Sequence, residues 1–234
     1  MAETTVSTGV ALLDEVMEGF QTGDNVILEV DVATPPQPFL HAFMAAALAR
    51  GERVVYVSFD RSPATIVESL ASLPRGDLVV LDAFTEGKGR GERVFRAFYE
   101  SRPPARREVV RIDFPRRPLA FHEDFDAAMG SGRGSFIVVD SLTGMQELWE
   151  SEERVRAFYT HSCPRLFDTR AIAVWVLSRA VHSEEFRAGI GHVAQVVLRL
   201  EGDGPSLRVL RALGRKHSGE GVGYAEADGK VERR

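Results

Sequence analysis

The loop that follows the first long apolar segment stands where a nucleotide-binding fold holds its phosphates. A buried strand is predicted at 25–30 and an apolar, alanine-rich helix at 39–50, so residues 31–38 form the loop between them. A phosphate-binding loop of the GxxxxGK(S/T) type uses glycines for close backbone approach, free N–H groups, a lysine and a hydroxyl. This loop has neither glycine nor lysine, and its three prolines lack the N–H donor. The sequence therefore predicts the architecture of a phosphate-binding loop without its chemistry.

The same loop residues are suited to starting the helix. Thr34 is predicted to be the N-cap and Pro35 the first helical residue, with Gln37 reaching back to the Thr34 N–H group as in a capping box. Asp31 adds a negative charge where a triphosphate would lie, and no lysine offsets it. The altered phosphate-loop positions are Asp31, Thr34, Pro35, Pro36, Gln37 and Pro38. Losing three or four charge-assisted hydrogen bonds, each worth roughly 1.5–3 kcal/mol, would weaken binding by about 4–9 kcal/mol, so we expect negligible ATP affinity in the usual mode.

Composition limits the class of protein. The chain has 234 residues, of which 44% are hydrophobic, and it has no long linker-like stretch, so we expect a single domain over 1–234. The formal net charge of −5 argues against a general nucleic-acid binder. The longest apolar run, 171–177, is too short to span a bilayer, and the first residues do not resemble a signal peptide. We therefore expect a cytoplasmic protein that makes no membrane contact.

Cysteine and histidine give no sign of a metal site. The single cysteine, Cys163, has no partner for an internal disulfide and is expected to be a buried thiol. Five of the six histidines are scattered, with none of these within four residues of another, which favours structural roles over metal binding. These five are His41, His122, His161, His182 and His192.

Strands and helices alternate along the chain. Further buried strands are predicted at 53–58, 77–82, 135–140 and 171–177. Helices are predicted at 62–73, 121–129 and 152–168. After residue 192 the strands become shorter, with a hairpin turn at 202–205. This order predicts an α/β fold with a mostly parallel central sheet, flanking helices and a C-terminal antiparallel extension.

Four short segments combine glycines, acids and hydroxyl residues in a characteristic order. They are Thr8-Gly9 with the LDEVMEGF residues at 13–20, the VSFDRSP residues at 57–63, the IVVDSL residues at 137–142, and the residues from Arg211 to Ser218. Together, in this order and spacing, they resemble the KaiC-like branch of the RecA superfamily of ATPases over nearly the whole chain. The resemblance implies a RecA-like fold of the phosphate-loop type, in which 137–142 is similar to the Walker B strand.

The differences from that family fall on the residues that would perform catalysis. In the family, the loop after the second strand supplies paired glutamates that activate water, whereas this chain has Asp60, one methylene shorter, and Arg61, of opposite charge. Asp140 matches the Walker B acid that helps to hold Mg²⁺, but Gln37 and Pro38 replace the threonine or serine of the phosphate loop. The resemblance therefore implies an inactivated ATPase in which Asp60, Arg61 and Asp140 are vestigial, with neither ATP nor magnesium as a cofactor. The usual behaviour of carboxylates in turns predicts that Asp140 caps or orders the loop at its strand end.

An arginine-rich segment stands out from the acidic chain. Residues 90–117 have nine arginines and four acids, a net charge of +5. One interpretation is a docking surface for an acidic or phosphate-bearing partner, and the other is a solvated loop with prolines as spacers. The candidate partner-binding residues are Arg102, Arg106, Arg107, Arg116 and Arg117. The glycine-rich residues 87–91 lack the spacing of a phosphate-binding loop and are predicted to be a flexible loop.

A second basic group lies near the C-terminus. Arg211, Arg215, Lys216 and His217 stand where the family sends basic residues across the subunit interface, so the resemblance implies contacts with a neighbouring subunit or with acids on a partner. An exposed basic strand end is an equally good interpretation.

These observations favour a catalytically inactive RecA-type domain that serves as a regulatory or signal-transducing interaction module, through self-association or a protein partner. Two alternatives remain open. One is a divergent ATPase that holds ATP and magnesium in an unusual mode, with Asp60 as base, Asp140 on the metal and arginines in place of the lysine. The other is an accessory factor similar to recombinase paralogues that binds single-stranded DNA. The negative net charge and the lack of clear basic and aromatic interleaving disfavour nucleic-acid binding.

Overall fold

A central sheet lies between two layers of helices. The computed structural model describes residues 4–89, 93–100, 108–130, 134–202, 204–227 and 229–234. The strands are β1 (Thr5–Val6), β2 (Phe20–Gln21), β3 (Asn25–Val30), β4 (Arg53–Ser58), β5 (Leu78–Asp82), β6 (Glu108–Arg111), β7 (Ser135–Asp140), β8 (Ile172–Ser178), β9 (Val196–Glu201), β10 (Ser206–Ala212), β11 (Gly221–Ala227) and β12 (Lys230–Arg233). The helices are α1 (Ala11–Met17), α2 (Gln37–Ala49), α3 (Pro63–Ser69), α4 (Phe84–Gly89), α5 (Arg93–Glu100), α6 (Pro118–Met129), α7 (Leu142–Trp149), α8 (Glu152–Asp168) and α9 (Glu184–Val193).

Ten strands of the described part of the chain form one sheet. Their order is β12-β11-β10-β9-β3-β8-β7-β4-β5-β6. Between β9 and β6 every neighbouring pair is parallel, whereas the pairs from β9 to β12 are antiparallel. The short strands β1 and β2 form a separate antiparallel pair. The predicted α/β fold, with a mostly parallel sheet and an antiparallel C-terminal extension, is confirmed.

Both faces of the parallel strands are buried. In β7, Val138 belongs to an apolar cluster with α1, α2 and α3, while its neighbour Val139 belongs to a second cluster with α6, α7, α8 and α9. Leu28 and Ile27 of β3 divide between the two clusters in the same way. Successive side chains of a strand point to opposite faces, so a strand covered on both faces has a continuous apolar sequence.

The carboxyl ends of the central strands meet along one edge of the sheet. Val30, the last residue of β3, is paired with Ser178 of β8, and Ser58 of β4 is paired with Asp140 of β7. The loops that follow these four strands are therefore neighbours, although they are far apart in the sequence. Ligand sites of open α/β sheets lie outside such ends. This edge is called the carboxyl edge below.

The start of α2 differs from the sequence prediction. The helix begins at Gln37 without a side-chain cap, so the capping box with Thr34 as its N-cap is wrong. The Thr34 hydroxyl is buried without a hydrogen-bond partner. The proline run supplies the reason, because Pro36 disfavours the helical backbone at the preceding Pro35 and the helix starts only beyond it. Pro38 takes an early helical position, where a missing N–H group is tolerated.

Two local predictions also need correction. Residues 87–89 end α4 instead of forming the predicted loop, and 90–92 lie outside the described residues. Helix α3 ends at Ser69, four residues earlier than the predicted end at 73.

Cys163 is buried, as expected, and burial raises the pKa of its thiol to about 12. Within the ranges that the structure describes, no helix combines the length and the apolar character needed to cross a bilayer.

Candidate functional site

Two arginines and two acids form an ion-pair network beside the loop that follows β3. Arg179, just after β8, donates from Nη1 to Asp31 Oδ1 at 2.9 Å, and its Nε lies 3.8 Å from Glu29 Oε2. Arg199 of β9 donates from Nε to the same Glu29 oxygen at 2.9 Å. The sequence is right that no lysine offsets Asp31, but Arg179 does so from the neighbouring strand end.

A second ion pair joins the loops after β4 and β7. Arg61 Nη2 lies 2.5 Å from Asp140 Oδ2 and 2.5 Å from the hydroxyl oxygen of Tyr56. The Tyr56 hydroxyl donates to the same Asp140 oxygen. Burial, followed by the charge of Asp140, raises the pKa of Tyr56 well above its ordinary value, so this hydroxyl keeps its proton. Asp140 thereby holds the loop after β4 in place.

These contacts decide whether magnesium fits at Asp140. Mg²⁺ is bound through carboxylate oxygens and usually retains several waters. Asp140 Oδ2 already accepts hydrogen bonds from a guanidinium and a phenol hydroxyl. Among the described residues, no group of three or more histidine, cysteine, aspartate or glutamate side chains is arranged to hold a metal ion. The residues present therefore do not fit a magnesium ion at this position.

Asp60 is bound to the start of α7. The Ser141 hydroxyl donates to Asp60 Oδ2 at 2.8 Å, and the same Ser141 oxygen accepts from the Gly144 N–H group at 3.0 Å. Burial raises the pKa of Asp60, although the hydrogen bond from Ser141 acts in the opposite direction. A Cβ atom at Gly144 would overlap the Asp60 carboxylate. The Asp60 carboxylate therefore occupies space that is open only because residue 144 is a glycine.

Gly144→Ala is expected to destabilise the protein by about 1–2 kcal/mol, because the added methyl group displaces the Asp60 carboxylate from the Ser141 hydroxyl. Helix propensity alone would make the alanine variant about 1 kcal/mol more stable. A decrease in the free energy of unfolding therefore reports the clash with Asp60. Urea-induced unfolding of both proteins gives the difference. Gly189→Ala in α9 is the matched control, because a Cβ there lies 3.5 Å from its nearest neighbour, an atom of Arg156. A Gly144→Ala protein as stable as the Gly189→Ala protein would contradict the packing.

A buried histidine links α7, α8 and α9. The Ser178 N–H group donates to Thr143 Oγ1 at 3.0 Å, which leaves the Thr143 hydroxyl hydrogen for His182 Nε2, also 3.0 Å away. His182 Nδ1 lies 3.5 Å from Glu152 Oε1. Glu152 also accepts from the N–H and hydroxyl groups of Ser183. Burial lowers the pKa of His182, although Glu152 opposes the shift. A neutral imidazole thus holds the turn after β8 against two helices.

Protein stability is expected to fall as the pH drops below about 6.5, the ordinary pKa of histidine, because unfolded His182 takes up a proton that the folded residue resists. The stability that neutral His182 contributes is fully present above that pH. It is lost as the pH falls through the lowered pKa of His182 in the folded protein. Urea unfolding at several pH values should give a shallower slope for His182→Gln than for the unmodified protein. His41 and His122, whose pKa values burial also lowers, contribute equally to both proteins. Equal slopes for the His182→Gln and unmodified proteins would contradict the assignment.

Of the five candidate partner-binding arginines in the segment 90–117, the structure describes two. Arg102, Arg106 and Arg107 lie outside the described residues. Arg116 donates from Nε and Nη2 to the Gly87 carbonyl oxygen at 3.1 and 2.9 Å. The Arg117 guanidinium lies 5.0 Å from the centre of the Phe114 ring. Arg116 and Arg117 thus make contacts within the chain, and their role in docking stays a prediction.

Arg215 is buried within the chain, and its role in partner binding stays a prediction. Its side chain is 2% exposed and donates from Nη1 and Nη2 to the Asp24 carboxylate at 2.8 and 3.1 Å. The physical reason is that the turn after β10 folds back onto the residues that precede β3. Lys216 is exposed, whereas Arg211 and His217 are half-buried, and their role at an interface stays a prediction.

Sequence reasoning missed Tyr56, Glu29, Arg179 and Arg199, which supply several of the polar contacts at the carboxyl edge. One signal was present. Glu29 is the charged residue of a strand that is otherwise apolar apart from its first residue. A charge in a strand buried on both faces requires a partner, so Glu29 indicates an ion pair without identifying the arginine.

Comparison with known proteins supports the fold alone. No protein-family model matches the chain, and no curated protein matches it. Among solved structures, the chain is similar to a KaiC-like protein of the hyperthermophilic archaeon Pyrococcus horikoshii, with a TM-score of 0.67 over 100% of both chains at 15% sequence identity. The mostly parallel sheet, its helical layers and its antiparallel C-terminal strands agree with that likeness. The chain therefore has a KaiC-like RecA fold.

Proposed function

We propose that this chain is a RecA-type domain that does not hydrolyse ATP and that serves as a regulatory or signal-transducing interaction module. The observation that carries the proposal is the contact between the Arg61 guanidinium and Asp140, the acid that corresponds to Walker B. Hydrolysis requires that carboxylate to help hold Mg²⁺. Here an arginine of the same chain satisfies the carboxylate, so the charge that would attract the metal ion is already neutralised.

The loop after β3 supports the same proposal. Phosphates bind at helix N-termini through free backbone N–H groups and positive charge. Pro35, Pro36 and Pro38 provide no N–H group, and Asp31 adds a carboxylate to the loop before α2. The nearby Arg179 is engaged with Asp31, so a phosphate would have to compete with an existing ion pair.

Water activation would also be impaired. The base of an ATPase must reach the attacking water, directly or through one water. Asp60 accepts a hydrogen bond from Ser141 and lies against Gly144 instead. Arg61 takes the second position of the paired glutamates. Its guanidinium is always protonated, so it cannot accept a proton from the attacking water. Three separate requirements of the reaction, namely metal binding, phosphate binding and water activation, are thus compromised by different residues.

Thermal unfolding with and without millimolar Mg²⁺-ATP tests the loss of nucleotide binding. A ligand that binds only the folded state at about 100 times its dissociation constant adds about 2.7 kcal/mol to the free energy of unfolding, which raises the midpoint by several degrees. We expect no rise with Mg²⁺-ATP, Mg²⁺-ADP or Mg²⁺ alone. A rise that Asp140→Asn abolishes would overturn the proposal and favour the divergent ATPase.

Sedimentation velocity over a broad range of protein concentrations tests the role as an interaction module. We expect the average mass to increase with concentration, or a stable complex to form with a protein purified alongside it. A chain that stays monomeric at every concentration, and that retains no protein when purified from its source cells, would contradict this half of the proposal.

A further inference from the structure

A cleft of about 360 Å³ lies between α6 and α8 and shares no residue with the carboxyl edge. Its apolar lining consists of Pro118, Leu119, Ala157 and Phe158. Its polar lining consists of His122, Arg154 and His161. Pockets for small organic ligands have volumes of about 300–1,000 Å³ and combine apolar walls with a few polar groups. This α6–α8 cleft has that composition at the lower end of the size range.

The floor of the α6–α8 cleft is rigid and apolar. Phe158 is 7% exposed and packs edge-on against Phe121, Trp149 and Phe125, with ring centroids 5.3, 5.4 and 5.7 Å away. Leu119, at the rim, is 81% exposed. An apolar group that entered the cleft would remove part of the Leu119 surface from water at no cost in reorganising the floor.

The charge of the α6–α8 cleft favours an anion. Among the described residues that line it, three are basic and none is acidic. The rings of His122 and His161 are 5.2 Å apart, so both imidazoles face the same region. Helix α6 starts at Pro118, which brings the positive end of its dipole to the same rim. The Asp126 carboxylate lies 3.9 Å from His122 Nε2 and is paired with Arg165.

We propose that the α6–α8 cleft binds an amphipathic monocarboxylate, with its alkyl or aryl tail against Phe158 and Leu119 and its carboxylate beside Arg154 and the two histidines. A ligand without the charge would leave the basic rim uncompensated. A ligand without the tail would leave Leu119 exposed. Both parts are therefore required for affinity, and this proposal does not depend on the loss of ATP hydrolysis.

Tryptophan fluorescence provides the test, because both tryptophans of the chain pack against Phe158, Trp149 at 5.4 Å and Trp175 at 6.2 Å. Octanoate is expected to give a saturable change. Octanol, which lacks the charge, and acetate, which lacks the tail, are expected to bind about tenfold more weakly or not at all.

Two arginines of α8 supply a matched pair of variants. Arg154→Gln is expected to weaken octanoate binding about tenfold, whereas Arg156→Gln, two residues further along α8 and outside the cleft lining, should leave it unchanged. Leu119→Asp should abolish binding, and its exposed position makes unfolding no explanation for the loss. The absence of a saturable octanoate response, equal responses to octanoate and octanol, or equal losses in the two arginine variants would each overturn the proposal.

Discussion

Replacing Arg215 with methionine is expected to destabilise the protein by about 3–5 kcal/mol, because it removes the guanidinium that pairs with the buried Asp24 carboxylate. The two side chains are only 2% and 3% exposed. Arg215 Nη1 also donates to the Gly19 carbonyl oxygen at 2.9 Å, so the substitution removes a further hydrogen bond. The Gln21 N–H group, which donates to Asp24 Oδ2 at 2.7 Å, remains but carries no full charge. Urea-induced unfolding monitored by circular dichroism measures the loss.

Lys216→Met is the control for Arg215→Met, because it removes a positive charge from the next residue, which is exposed. Its expected effect is within about 0.5 kcal/mol. Removing both members of the pair, with Asp24→Leu added to Arg215→Met, should recover part of the lost stability, since the buried carboxylate is then removed together with the guanidinium. If Arg215→Met unfolds like Lys216→Met, the ion pair does not stabilise the fold, and an intermolecular role for Arg215 becomes the better explanation.

The sequence predicted the central strands well because burial on both faces leaves a continuous apolar run, as in β4, β7 and β8. It did not predict α7 or α9. Helix α7 contains Gly144, and α9 contains Gly189 and Gly191, which lowers the helix propensity of both segments. Packing against the second apolar cluster, which includes Met145 and Ile190, stabilises these helices instead. Helices of this kind depend on tertiary contacts that a local pattern does not show.

The candidate site was predictable in part. The sequence located the altered loops, because each change lies within one contiguous segment. Arg61 stands where the family has a glutamate, and the prolines before α2 remove backbone N–H donors. It did not predict the ion pairs, because their members are distant in sequence: Asp31 and Arg179 are 148 residues apart, and Glu29 and Arg199 are 170 apart. Only the strand order β9-β3-β8 brings them together. Arg61 and Asp140 are 79 residues apart and meet because β4 and β7 are parallel neighbours.

Arg61→Ala is expected to destabilise the protein by about 2 kcal/mol, because it leaves the Asp140 carboxylate with the Tyr56 hydroxyl alone. The Asp140 side chain is 10% exposed, so water replaces the guanidinium poorly. Asp140→Asn should cost less, since the Arg61 side chain is 25% exposed and can turn toward solvent. Combining the two substitutions should recover at least about 1 kcal/mol relative to the sum of the single losses.

A surface ion pair provides the comparison for the pair of Arg61 and Asp140. Arg233 and Glu15 lie 3.5 Å apart with side chains that are 66% and 63% exposed. Arg233→Ala is expected to change the free energy of unfolding by less than about 0.5 kcal/mol. Urea unfolding of the variants gives all of these values. Equal decreases in the free energy of unfolding for Arg61→Ala and Arg233→Ala would mean that the Arg61 ion pair stabilises the protein no more than an exposed pair does.

The Arg61→Ala protein also separates two reasons for the absence of nucleotide binding. If the guanidinium on Asp140 were the sole obstacle, its removal would free the carboxylate for Mg²⁺, and Mg²⁺-ATP would raise the midpoint of thermal unfolding. We expect no such rise, because Pro35, Pro36 and Pro38 still provide no N–H donors and Arg179 is still engaged with Asp31. A rise confined to the variant would mean that the proline loop tolerates phosphate and that Arg61 alone keeps the site closed. No rise in either protein would mean that freeing Asp140 is not sufficient for nucleotide binding, and that the loop before α2 is a second, independent obstacle.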